Sequence, residues 1–156
     1  MYSWLVFVHL LGVFGFLMSH GVAAFVAFRV RTEKDLIALR TLLALSGRSS
    51  AVMFVSLLTL LAGGISAAIV GHISRNWPFA ALVVLIVVSG LMSAFTGRQL
   101  RKIRLAAGFT GGIKVTGEAK PDELAASQAA FNPLVSAVTG GAGLAIILWL
   151  MVLKPF

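Results

Sequence analysis

His9, His20 and His72 are the only three histidines in the chain, and each falls in a long stretch without Asp, Glu, Lys or Arg. Ionisable groups inside membrane-length apolar runs are costly, so they mark candidate functional positions. An imidazole there can bind a metal, ligate haem iron or shuttle a proton. His9 and His20 are eleven residues apart. On a helix that spacing puts them within about 20° of one face and about 16 Å apart along the axis. Leu5, Gly12, Val13, Phe16, Ala23 and Ala27 share that face. His72 shares its own face with Gly64 and Ala68. Gly12 is one turn from His9, and Gly71 adjoins His72.

Two imidazoles on antiparallel helices, each beside small residues, suit the two faces of a haem. Haem iron takes His, Met, Cys or Tyr as ligands. The pattern predicts one haem b between spans one and two, held by His9 and His72 at similar depth. Gly12, Gly64 and Ala68 would leave room for the macrocycle. The competing reading for each histidine is a hydrogen bond to a neighbouring helix carbonyl. His20 lies deeper, with Met92 and Met53 as candidate partners. With Met92 it would hold a second haem. A hydrogen bond from His20 to a quinone or a haem propionate is also open, and copper is a further option for the chain because His and Met suit it. The methionines are scattered over the spans rather than gathered near the outer histidines.

Other chemistries find no residues. All five acids, Glu33, Asp35, Glu118, Asp122 and Glu123, lie in two loops. No carboxylate lies inside a span, which argues against a Ser-His-Asp hydrolase and against proton- or cation-coupled transport. The absence of cysteine excludes disulfides, thiolate ligands and covalent haem attachment. Gly111-Gly112-Ile113-Lys114 lacks the spacing of a phosphate loop. No catalytic residue set is expected.

The elements that must position the histidines are read from charge and hydropathy. The chain has 156 residues, 59% apolar and 12% charged. Residues 1–28, 49–74, 76–97 and 124–153 carry no charge. A helix needs about 20 apolar residues to cross the hydrocarbon core. Four crossings fit, at about 3–28, 51–72, 79–96 and 133–153. The fold class is an all-α integral membrane bundle of four transmembrane helices, forming one domain over 1–156. Too little chain remains for a soluble catalytic or nucleotide-binding domain.

Thr32 to Leu43 places Leu36, Leu39 and Leu43 at helical spacing, with a capping-box resemblance at Thr32 and Asp35 and a stop at Gly47. This predicts a short amphipathic helix lying in the membrane interface, or an extension of span one. The short turn around Pro78 makes spans two and three expected antiparallel neighbours. Small residues four apart, Gly63/Ala67/Gly71 and Ala137/Gly141/Ala145, predict close helix contacts. One of these faces is expected to dock another subunit or a second copy.

Eleven of the thirteen Lys and Arg residues fall in the loops after spans one and three. Basic loops stay cytoplasmic, so both termini are expected outside. The net charge of +8 is thereby explained by topology, and nucleic acid is not an expected partner.

The run Trp4-Leu5-Val6-Phe7-Val8-His9-Leu10-Leu11-Gly12, with Arg29 and Arg31 just inside, resembles the first span of small bacterial membrane proteins related to the copper-resistance D family. The broad superfamily includes four-helix haem b cytochromes and the membrane protoporphyrinogen oxidase. The resemblance covers the first span, and the rest of the chain only as four-helix topology. It implies His9 as a haem ligand and a place in the bacterial plasma membrane. The expected function is electron transfer through haem b, between a quinol or membrane pool and an external partner. A structural subunit of a larger membrane complex, and a copper or small-solute transporter, are the alternatives.

Overall fold

The computed structural model describes residues 1–73, 76–111 and 113–155. Helix α1 spans Tyr2–Thr32, α2 Leu36–Val70 and α3 Asn76–Met92. A π-helical segment, Ser93–Gly97, joins α3 to α4, Arg98–Ala106. A two-stranded antiparallel hairpin comes next, β1 Phe109–Gly111 and β2 Lys114–Val115. Helices α5, Pro121–Ala130, and α6, Pro133–Leu153, complete the chain. Four helices are long and apolar enough to cross a membrane: α1, α2, the continuous α3–α4 rod and α6.

The expected interfacial helix does not form separately. Residues 36–50 are the first turns of α2, which is therefore 35 residues long. Asp35 alone caps it, accepting from the Ile37 and Ala38 amides at 3.1 and 3.2 Å. Thr32 instead ends α1, its hydroxyl donating to the Arg29 carbonyl. Gly47 stops nothing, because it lies inside the helix. A Cβ there would sit 2.6 Å from the Ile113 side chain and 3.0 Å from the Arg104 guanidinium. Its bareness admits the hairpin and α4. At 1.5 Å per residue α2 is about 52 Å long, well beyond the hydrocarbon thickness.

The packing order also differs from expectation. α1 lies along α2, α3 along α6, and α1 touches α6. Among the described residues α2 and α3 make no extended close contact. A short turn ties their ends only; the small-residue faces decide which bodies meet. Gly63 backs onto the His9 backbone, where a Cβ would be 2.6 Å from the amide nitrogen. Gly12 meets the Leu60 backbone in the same way, and the Ser49 hydroxyl donates to the Ser19 carbonyl at 2.8 Å. The Gly63/Ala67/Gly71 face is thus consumed inside the molecule. Gly141 faces open space.

The most deeply buried side chains collect at the basic end. Val26 and Val30 of α1, Leu39 and Leu43 of α2, Ile103 of α4, Phe109 and Phe131 form one core. Polar contacts seal it. The Gln128 amide donates to the Val30 and Glu33 carbonyls at 2.7 and 2.9 Å, satisfying the end of α1. Arg40 donates to the Ala107 carbonyl at 2.9 Å, and Arg104 to that of Leu43. At the opposite end Lys154 stands over the Trp77 ring, 5.7 Å from its centroid.

Candidate metal centre

His9 is half-buried on the α1–α2 seam. Its Nδ1 lies 2.7 Å from the Leu60 carbonyl. A carbonyl only accepts, so Nδ1 carries the proton and Nε2 is left as an acceptor. Nε2 has no partner among the described residues. The ring lies over Gly64, where a Cβ would come within 2.7 Å of Nδ1.

His72 is elsewhere. α2 ends at Val70 with Gly71 as its cap, and His72 comes after it in a left-handed conformation, φ 48°. It is exposed. Gly71 lies beneath the Tyr2 ring, whereas Gly63 lies against His9. The eight residues from Gly63 put Gly71, which His72 follows, about 12 Å beyond the level of His9. Antiparallel direction brings both imidazoles toward one end of the molecule, but not to one depth.

The expected sharing of one depth by His9 and His72 is not what the helices give. The two residues are about two helix turns apart along the pair. The glycines meant to make room do not. Gly12 is occupied by the Leu60 backbone and Gly64 by the His9 ring itself. Ala68 is half-buried, its carbonyl accepting from the Ile73 amide at 3.1 Å in the helix-ending turn.

The other expected pair does converge. His20 from α1 and Met92 from α3 meet on Gly140 of α6. His20 Nε2 is 2.8 Å, and Met92 Sδ 3.2 Å, from the point a Gly140 Cβ would occupy. Each helix supplies what the junction needs. Phe16, one turn before His20, stacks parallel to its ring at 6.2 Å and 8°, fixing the imidazole plane. Met92 is the last residue of α3 before the π segment. Ser136, Gly140 and Gly143 form the buried small face of α6, so α1 and α3 can both approach. His20 has no hydrogen-bond partner among the described residues.

The arrangement brings an imidazole and a thioether onto one bare stretch of α6. Both ligand-type atoms lie within 3.2 Å of the point a Gly140 Cβ would occupy, so they are neighbours across the bare Gly140 surface. Imidazole and thioether are donor types that soft ions accept. Among the described residues no three His, Cys, Asp or Glu side chains cluster.

Sequence reasoning paired His20 with Met92 by depth but missed Gly140. The signal was present: Ser136, Gly140 and Gly143 are small residues four and three apart, the first two lying one position before Ala137 and Gly141 of the other stripe. In comparisons with known proteins the chain matches no family model, no curated protein and no solved structure.

Proposed function

We propose that this chain is a membrane-embedded protein that binds a soft, singly charged transition-metal ion of the Cu(I) class. The ligands are His20 Nε2 and Met92 Sδ at the junction of α1, α3 and α6. One observation carries this reading: an imidazole without a hydrogen-bond partner among the described residues and a thioether share one point inside a four-span chain without cysteine. An imidazole that lies at membrane depth without a partner in the protein has a ring nitrogen open to a ligand. The resemblance of the first span to the copper-resistance D family agrees with it. The experiment is Cu(I) titration of the purified full chain in detergent against a chromophoric chelator. One bound ion, with X-ray absorption reporting one nitrogen and one sulfur neighbour, is expected. No binding above that of detergent alone rules the reading out.

A second reading keeps haem b in electron transfer, with His9 as ligand. The hydrogen bond from Nδ1 to Leu60 favours it, because it fixes the tautomer and leaves Nε2 to a metal. It requires haem to sit against the outer surface of the α1–α2 pair. Protein purified from haem-replete cells should then show a Soret band that disappears in His9→Ala. A colourless wild-type protein ends this reading without touching the first.

The orientation we infer places the basic end in the cytoplasm of a bacterium and both termini outside, following the asymmetry of Lys and Arg. The chain has no native cysteine, so single thiols report cleanly. Ile37 is 75% exposed at the basic end. A membrane-impermeant thiol reagent should label His72→Cys in intact cells, and Ile37→Cys only after permeabilisation. The reverse pattern inverts the topology.

A further inference from the structure

We propose that the outward face of α4 is a contact surface for anionic phospholipid headgroups. The rod from Asn76 to Gly97 measures about 33 Å at 1.5 Å per residue. The hydrocarbon core is about 30 Å thick. The rod therefore leaves the hydrocarbon near Arg98, and α4 lies in the headgroup layer, whichever leaflet that is. Arg98, Arg101, Lys102 and Leu105 recur at the spacing of one helix face, and all four are exposed. Ile103 and Ala106 lie off that face and are buried. The π segment aims the two faces. A π turn holds about one residue more than an α turn, so α4 is rotated by about 100° from where an unbroken helix would put it.

None of the three cations has a hydrogen bond or ion pair from its side chain among the described residues. Their charge is free to meet a phosphate. Beside them a shallow recess of about 330 Å³ is lined by Lys102, Leu105, Glu123, Ala126 and Ser127. Glu123 is engaged by Lys120 at 2.9 Å, so its charge is offset at the recess edge. Exposed Leu105 and Ala126 supply apolar surface where the glycerol and upper acyl carbons of a lipid would lie. A headgroup phosphate between Lys102 and Arg101, with acyl chains along α3, satisfies both kinds of surface at once. The shared chemistry is a phosphate monoanion on an amphiphile, and the apolar border favours the lipid over free phosphate.

The test uses full-length protein in detergent. Binding of phosphatidylglycerol and of phosphatidylcholine is measured by native mass spectrometry, for wild type and for Arg98→Gln/Arg101→Gln/Lys102→Gln. Wild type should prefer the anionic lipid, and the triple variant should lose about fivefold of that preference per charge removed. Phosphatidylcholine binding should not change. A control triple, Arg31→Gln/Lys34→Gln/Lys114→Gln, removes the same charge elsewhere and should keep the preference. Equal loss in both triples assigns the effect to net charge and overturns the proposal, as does equal binding of the two lipids by wild type. Displacement of the lipid by millimolar inorganic phosphate assigns the site to free phosphate and overturns it too. If the triple variant fails to elute as a single species, Arg101→Gln alone carries the test, with about a fivefold loss expected and no loss overturning the proposal.

Discussion

Replacing His20 with phenylalanine is expected to abolish Cu(I) binding while leaving the fold intact. Phenylalanine preserves the parallel stack on Phe16 and the contact with Gly140, and removes only the two ring nitrogens. Met92→Leu makes the matching change on the other ligand, keeping volume and losing the sulfur. Loss of an outer-shell partner of a metal site commonly costs about 10- to 100-fold in affinity. Loss of a direct ligand from a site with two should exceed that, so at least about a hundredfold is expected for either variant. Volume-conserving swaps cost less than about 1.5 kcal/mol in stability, so the melting temperature serves as the control. His9→Phe, on the α1–α2 seam, should leave the affinity unchanged. Wild-type affinity in both ligand variants, or an equal loss in His9→Phe, would assign the ion to another place.

The largest stability effect is expected at Gly12. A Cβ there collides with the backbone nitrogen, Cα and Cβ of Leu60. Backbone cannot rotate aside as a side-chain tip can, so α1 and α2 must separate. Separation also breaks the neighbouring contacts at Gly63 and Gly15 and lengthens the His9–Leu60 hydrogen bond. Overpacking costs about 1–3 kcal/mol where side chains can yield. Gly12→Leu, held between two backbones, should reach or exceed the top of that range, read as a lowered melting temperature or an earlier denaturation midpoint in detergent. Gly21, Gly90 and Gly141 supply the contrast, since a Cβ at each meets nothing within 4 Å. Alanine at those positions should be neutral or stabilise by about 0.5–1 kcal/mol through helix propensity. Equal damage at Gly12 and Gly141 would show that helix separation is not what Gly12 prevents.

The four crossings were legible because hydrocarbon excludes charge, and charge-free runs are visible without any structure. The full length of α2 was not. Arg40 and Arg48 end the apolar run, but helix continuity is a property of the backbone. Gly47 stops a helix only in a left-handed conformation, and here it has α-helical neighbours on both sides. The same difficulty of scale affected His72. Direction along the chain gave the correct end of the molecule. The depth depended on how far α2 extends past His9, and on the unwound turn beyond Val70. His20 and Met92 were matched because rise per residue converts sequence position into depth directly. Azimuth is not read so easily, and for that reason Gly140, the surface on which they meet, was overlooked. The pairing of α1 with α2 and α3 with α6 depends on which small-residue faces find each other, a choice among several that single-sequence patterns left open.

The π segment at Ser93–Gly97 makes α3 and α4 two phases of one rod. On an unbroken α-helix, at about 100° per residue, Ile103 and Ala106 would fall on the same stripe as Ala81, Val88 and Met92. That stripe is the one α3 turns to α6, where Val88 and Met92 meet Gly143 and Gly140. Because the π turn absorbs about one extra residue, the inner stripe of α4 is displaced from it and addresses α5 and the core beside α1 and α2 instead. Any periodicity measured along this rod, whether in solvent access, substitution tolerance or spin-label mobility, carries a phase slip near Phe95. In terms of frame, the segment behaves as a one-residue insertion that the helix has accommodated. Deleting one of its five residues should close it to ordinary α-helix and leave both stripes aimed as they are. The same deletion two turns earlier, where the helix has no spare residue, would swing the preceding and succeeding stripes out of step by about 100°.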